Sequence, residues 1–239
     1  RRTEDVWSFQ LSSGSHYCSN ETQLDDQGNN GQEVLKRIFI MNELMQIHQN
    51  VDHPSDKWSN YFDIYEKHLK DYRGKNVTLV EVGVQKGGSL DMWHTYFGPH
   101  SKIIGIDVDP ECAKITYPGK NISVFIGDQE SPAFWDEFLR NNTDIDIFID
   151  DGGHTMGQQI VTFEKVFPKL KTGSIFICED THTSYWPELV GGLRRESSFL
   201  EYAKDFVDIL HNNWKRETTE SLEKKSAMAF DGLSGLYFY

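Results

Sequence analysis

The sequence predicts an α/β fold: a mostly parallel sheet with helices on both faces and one antiparallel strand at the C-terminal end. Three observations carry that expectation. Short apolar runs alternate with segments of helical period, the runs empty into acidic residues, and two short apolar segments around a Gly-Leu-Ser-Gly turn close the chain. Alternating strands and helices imply parallel strands sandwiched between helices, and a close final pair implies a hairpin.

The elements follow in order. Residues 1–32 are polar, without a sustained period, and read as a flexible arm. From Val34 the residues Leu35, Ile38, Phe39, Met41, Leu44, Met45 and Ile47 fall near helical spacing. After the loop "QNVDHPSDKWSN" a second amphipathic helix carries Phe62, Ile64, Tyr65 and Leu69. The strands "VTLVEVGV", "KIIGIDVD", "ISVFIGD", "DIDIFIDD" and "GSIFICED" come next, with helices in "GGSLDMWHTYFG", "PAFWDEFLRN" and "MGQQIVTFEKVFPKL". A long amphipathic stretch from Pro187 to Trp214 precedes the hairpin strands "SAMAFDG" and "GLYFY". Residues 33–239 thus read as one domain, with helices over 33–70 and a sheet core over 77–239, a length that permits one substantial core.

Composition narrows the function. A formal net charge of -13 argues against nucleic acid, whose binding draws on Lys and Arg. Three scattered cysteines, Cys18, Cys112 and Cys178, suggest a reducing, cytoplasmic setting rather than a disulfide framework. No run is long enough to span a bilayer. The chain opens on Arg1, which fits one domain of a larger glycan-building protein. The apolar face of Val34–Ile47 suits packing on the domain or on a second copy in a homo-oligomer.

Ligands of open α/β sheets bind beyond the carboxyl ends of the strands. Here those ends read Glu81-Val-Gly83, Asp107-Val-Asp109, Gly127-Asp128-Gln129, Asp150-Asp151 and Glu179-Asp180, a ring of carboxylates on one rim. Gly83, Gly87 and Gly88 permit close approach to a ligand, but their spacing is not the dinucleotide G-x-G-x-x-G. Asp107 ends the next strand roughly where an acidic residue grips ribose hydroxyls. No Walker lysine follows, so a nucleoside without a triphosphate is favoured. Asp150 and Asp151 point to opposite sides of their strand. The glycines that follow let the chain turn sharply, so that His154 can face the same cleft.

The segments "EVGVQKGGSLDMW", "IIGIDVDP", "VFIGDQ", "IDDGGHTMGQQIVTFE" and "ICEDTHTSYW" together resemble the macrocin- and mycinamicin-type sugar O-methyltransferases. The resemblance covers about Ser55 to Trp186. It implies a Rossmann-like class I methyltransferase fold that uses S-adenosylmethionine (SAM) and a divalent metal, usually magnesium, on a sugar or glycan acceptor. Glu81 and Gly83 would line the methionine part of SAM, Asp107 the ribose, and Asp128 with Gln129 the adenine end; Gly87, Ser89, Asp150 and Tyr65 join the cofactor-binding set. Asp151, Glu179 and Asp180 match the metal-binding carboxylates, and His154 matches the catalytic base. Trp58, Tyr61 and Tyr65 would cover the cofactor, and His182, Tyr185 and Trp186 would face the sugar.

That chemistry suits these residue types. Carboxylates hold a hard cation, the cation orients a sugar diol and acidifies a hydroxyl, and an imidazole titrating near neutrality collects the proton. Alternatives on the same residues are methylation of a catechol-like diol and an inert glycan- or nucleoside-binding module. An iron hydroxylase is disfavoured because its pattern needs two histidines, and a NAD oxidoreductase is disfavoured by the glycine spacing.

Overall fold

The computed structural model describes residues 17–18, 42–211, 214–229, 233, 235–237 and 239. Two short strands, β1 (Tyr17–Cys18) and β2 (Lys57–Trp58), pair antiparallel. The five apolar runs form β3 (Thr78–Val82), β4 (Lys102–Asp107), β5 (Ile122–Ile126), β6 (Ile147–Asp150) and β7 (Ile175–Cys178), all parallel in the order β5-β4-β3-β6-β7. The order reverses at β3, which places the crevice of a doubly wound sheet at the carboxyl ends of β3 and its neighbours.

The helices are α1 (Glu43–His48), α2 (Tyr61–Leu69), α3 (Gly88–Phe97), α4 (Pro132–Asn141), α5 (Met156–Val166), α6 (Phe199–Leu210) and α7 (Glu220–Ala229). Strand side chains alternate between faces, and the core splits accordingly. Leu79, Ile103, Ile147, Ile149, Ile175 and Ile177 pack with Tyr65, Trp93 and Phe97 of α2 and α3. Val80, Ile104, Phe148 and Phe176 pack on the other side with Trp135, Phe163 and Phe206 of α4, α5 and α6. Each large side chain buried there stabilises by roughly 1.5–3 kcal/mol, so the sheet is a rigid platform for its rim.

Two expected elements differ. The stretch from Pro187 to Trp214 is helical in α6 only over Phe199–Leu210, after a short 3₁₀ turn at Pro187–Leu189. Val190 and Arg194 take positive φ (68° and 54°), which no α-helix admits, and Ser198 restarts the helix by accepting from Glu201 N (3.3 Å). Among the described residues the C-terminal antiparallel strand is not seen. Ser226–Ala229 of its first arm end α7, where Ala and Met, good helix formers, continue a run with a Glu220–Lys224 pair at i,i+4 (2.9 Å). Phe230–Gly232, Ser234 and Phe238 lie outside the described residues, and Gly235–Tyr237 and Tyr239 are in no strand. The predicted helix at Val34–Ile47 falls within the described residues only from α1, which Asn42 caps by accepting from Met45 N (2.8 Å). Among the described residues no helix is long and apolar enough to cross a membrane.

Candidate active site

A cleft of about 480 Å³ opens at the carboxyl ends of the sheet, a volume suited to a cofactor-sized ligand. Gly83, Ser89, Asp107, Asp128, Gln129, Asp151, His154, Glu179 and Asp180 line it, as does the segment Pro54–Trp58. Every strand of the five thus sends an acidic residue to one rim or to the layer just behind it.

The first turn is built for close backbone approach. Gly83 has φ +96°, and a Cβ there would sit 1.9 Å from the Asp151 carbonyl oxygen. A Cβ on Gly88 would meet the His53 and Pro54 carbonyls at 2.4 Å, because Gly88 N donates to Pro54 O (3.1 Å). The segment before β2 is thereby seated on the start of α3, and buried Asp91 reinforces it by binding His53 Nδ1 (2.5 Å) and Lys120 Nζ (2.7 Å).

Asp107 Oδ2 accepts from Val84 N (2.9 Å) and Gln85 N (3.0 Å), and Oδ1 accepts from Asp109 N (2.9 Å). Partial burial works against ionisation, yet these three N–H donors hold its carboxyl below the ordinary value. Asp107 is a fixed carboxylate beside the glycine turn. Asp128 accepts from Glu130 N (2.8 Å) at the far end. The Gln129 side chain is spent on structure: it donates to Asp150 Oδ1 (3.0 Å) and Thr162 Oγ1 (3.2 Å) and accepts from Gly153 N (2.8 Å).

The metal-type residues converge next to it. Thr155 and Gln158 form a capping box that starts α5, fixing the residue before it. That residue is His154, at φ 57°. Its Nε2 lies 3.5 Å from Asp180 Oδ2 and 3.8 Å from Asp151 Oδ1. Tyr61 Oη donates to Asp180 Oδ1 (2.6 Å). His154 Nδ1 is buried with no hydrogen-bond partner among the described residues. Asp151, His154 and Asp180 offer ligand atoms all within 4.8 Å of one another. Two carboxylates and open room in the cleft fit a hard divalent cation that keeps sites for other oxygens.

A second group, Glu81, Asp151 and Glu179, is as closely spaced, but an ammonium fills it. Lys57 Nζ, on β2, binds Asp151 Oδ2 (2.5 Å), Glu81 Oε1 (3.1 Å) and both oxygens of Glu179 (2.9 and 3.1 Å). Lys57 is 3% exposed. Burial disfavours its charge, but Asp151 and Glu179 outweigh that and hold its pKa well above the usual lysine value. Glu179 also accepts from Tyr65 Oη. Burial, with Asp151 adding repulsion, still pushes the Glu179 carboxyl well above the ordinary range. Sequence reading missed Lys57. One lysine in a polar loop looks solvated, and only the fold shows that its loop crosses three strand ends.

Four residues expected at the cofactor stand behind the cleft wall. Glu81 is fully buried, accepting from Ser89 Oγ (2.6 Å), Trp93 Nε1 (3.2 Å) and Lys57. Tyr65 is fully buried and edge-on to Trp93, so it holds Glu179 rather than closing a lid. Asp150 faces Gln129 on the opposite side from Asp151; one of its oxygens is unpartnered among the described residues, and burial pushes its pKa up to about 6. Gly87 ends the turn, its carbonyl accepting from Tyr117 Oη (3.1 Å). Of the aromatic cover, Trp58 lines the cleft, while Tyr61 is buried under Asp180. His182 packs between Trp58 and Trp186, and Tyr185 and Trp186 are half-exposed beside it.

A parallel sheet in this order, with a cofactor-sized cleft at its switch point and no dinucleotide glycines, is that of a class I methyltransferase. No family model matches the chain. It is 34% identical over 170 residues to the 8-demethyl-8-alpha-L-rhamnosyl tetracenomycin-C 2'-O-methyltransferase of Streptomyces olivaceus, covering 67% of this chain and 44% of that protein. It is 34% identical over 134 residues to the mycinamicin VI 2''-O-methyltransferase of Micromonospora griseorubida, covering 53% and 33%. The solved MycE methyltransferase of mycinamycin biosynthesis, in complex with Mg and SAH, superposes with a TM-score of 0.58 at 30% identity, over 64% of this chain and 44% of that one. Over about two thirds of its length this chain is similar to sugar O-methyltransferases of the macrocin and mycinamicin type. It spans half or less of the length of the curated relatives it matches.

Proposed function

We propose that this chain transfers the methyl group of SAM to a sugar hydroxyl, with a divalent cation at the acidic mouth and His154 as general base. The observation that carries the reading is the convergence of Asp151 Oδ1, Asp180 Oδ2 and His154 Nε2 at one end of a cleft. The glycine turn and Asp107 line the same cleft.

When bound, SAM supplies an activated methyl on a sulfonium, and a cation such as magnesium supplies Lewis acidity that makes an alcohol easier to deprotonate. The chain's residues do the rest. Gly83, whose Cβ position is taken by the Asp151 backbone, would present its own backbone to the methionine portion, Asp107 would accept from the ribose hydroxyls, and Asp128 would face the adenine. Asp151 and Asp180 would hold the cation beside Glu179, whose oxygens meet Lys57. His154 takes the acceptor's proton at Nε2, and the two aspartates beside it stabilise the imidazolium that forms. A positioned base contributes roughly 10²- to 10⁴-fold, and alignment of the reactants about 7 kcal/mol or more.

The acceptor class rests on the relatives, whose names specify a rhamnosyl tetracenomycin and mycinamicin VI, both glycosylated natural products. His182, Tyr185 and Trp186 would receive the sugar, since aromatic faces pack on its apolar faces. Mass spectrometry of a panel of glycosides and catechols incubated with SAM tests the reading. A glycoside gaining one methyl group is expected; methylation of catechols alone, or of nothing, overturns it.

A further inference from the structure

Two stretches of chain bear on the glycine turn of the cleft, and one buried carboxylate joins them. The segment Asp52–Trp58 rests on the start of α3: Gly88 N donates to Pro54 O (3.1 Å), and a Cβ on Gly88 would overlap the His53 and Pro54 carbonyls. The loop before β5 rests on the same turn. Tyr117 Oη donates to Gly87 O (3.1 Å), and a Cβ on Gly87 would stand 2.4 Å from that hydroxyl. Asp91, in the first turn of α3, is 0% exposed. Its Oδ2 meets His53 Nδ1 (2.5 Å) and its Oδ1 accepts from Lys120 Nζ (2.7 Å), which also reaches Asp52 Oδ2 (3.4 Å). The His53 and Tyr117 rings lie 5.1 Å apart, so the two stretches also pack on each other. A carboxylate this deeply buried needs such partners to offset its lost hydration.

We propose that Asp91 is a positioning residue for the cofactor: through His53 and Lys120 it clamps the segment Pro54–Trp58 against the glycine turn and so sets how tightly SAM is held. The inference rests on the SAM reading above and gives a role to side chains outside it. Asp91, His53 and Lys120 do not line the cleft, so their effect passes through what they hold. The segment Pro54–Trp58 lines the cleft along its whole length, and so do Gly83, Gln85, Gly88 and Ser89 of the turn. A ligand that fills the cleft meets both, and Asp91 fixes their spacing from behind. Pro54 follows His53 directly; its fixed φ, and the limits it places on the residue before it, carry the anchor at His53 into the segment. Release of His53 lets the segment sample positions that do not fit the ligand. Apparent affinity then falls in proportion to the fraction that does fit, while the reacting atoms are unchanged. Couplings of this kind are typically about 5- to 150-fold.

Calorimetry with SAM, and rates on a glycoside that the wild type methylates, compare the wild type with His53→Ala, His53→Asn, Asp91→Asn and the His53→Ala/Asp91→Asn double variant. His53→Ala and Asp91→Asn are expected to bind SAM at least about tenfold more weakly. KM for SAM should rise alike, with kcat at saturating SAM within about twofold of wild type. The double variant should bind no more weakly than the poorer single variant, the mark of one shared contact. His53→Asn, whose amide N–H can take the place of Nδ1, should recover most of the affinity. A residue that only supports the fold would not give this pattern. SAM affinity unchanged in both single variants overturns the proposal, as do fully additive losses or a fall in kcat with KM for SAM unchanged. If Asp91→Asn does not fold, the two His53 variants decide alone, because His53 is only half-buried. A wild type that binds SAM but methylates no glycoside overturns the acceptor reading, and calorimetry then decides the role of Asp91. A wild type that binds no SAM overturns the functional reading and this inference with it.

Discussion

Gly83→Ala probes how the backbone holds the site. Gly83 sits at φ +96°, where a Cβ is strained by about 1–2 kcal/mol on conformation alone. That Cβ would also stand 1.9 Å from Asp151 O and 2.8 Å from Asp151 C, both backbone atoms. Neither side yields cheaply. Gly83 N is tied to Ile106 O (2.8 Å), and Asp151 N to Val82 O (3.1 Å). Relieving the overlap means moving one chain by more than about 1 Å and losing a buried hydrogen bond, worth roughly 0.5–1.5 kcal/mol. The expected loss is therefore about 1.5–3.5 kcal/mol of folding stability. Because the displaced atom belongs to Asp151, divalent-cation binding should weaken as well. Urea unfolding in EDTA reads the first effect and Mn²⁺ titration the second. A Gly83→Ala protein with wild-type stability and wild-type Mn²⁺ affinity would refute the claim that this contact sets Asp151.

Two further substitutions follow from the site. His154→Asn should lower turnover roughly 10²- to 10⁴-fold while SAM affinity, read by calorimetry, stays within about twofold; undiminished turnover would remove the imidazole from the chemistry. Asp150, with its pKa pushed up from 3.8 to about 6 by burial, folds preferentially as the neutral acid, so its contribution is greatest below pH 3.8 and is lost as the pH rises through about 6. Asp150→Asn removes that dependence. Measured in EDTA, its stability relative to wild type should rise by about 2.4 kcal/mol between pH 4 and pH 7, and a difference that stays flat with pH would show that Asp150 is not the buried titrating group.

Much of this was legible in the chain. Apolar runs such as "IFID" and "IFIC" are short and rich in branched and aromatic residues, and they became β6 and β7. The opposite facing of Asp150 and Asp151 follows from alternation alone, and the structure has them on the two sides of the sheet. Parity would also have grouped Glu81, Asp151 and Glu179, because each continues the same face of its strand. What alternation could not supply is the cation among them. Lys57 reaches the group from β2, more than twenty residues before β3, a contact set by tertiary packing. Tyr65 was misplaced for a related reason: its helical spacing fits a lid and a core equally, and only the packing of α2 on Trp93 decides. The C-terminal hairpin failed where Ser226–Ala229 read as strand but extend a helix already begun at Glu220.

The account turns on a divalent ion at Asp151 and Asp180 serving methyl transfer beside His154. The most direct measurement is the initial rate of methylation of a glycoside acceptor against free Mg²⁺ set with EDTA. The rate should fall to background in excess chelator and return along a saturating curve as Mg²⁺ is restored. Full turnover at vanishing Mg²⁺ would contradict it.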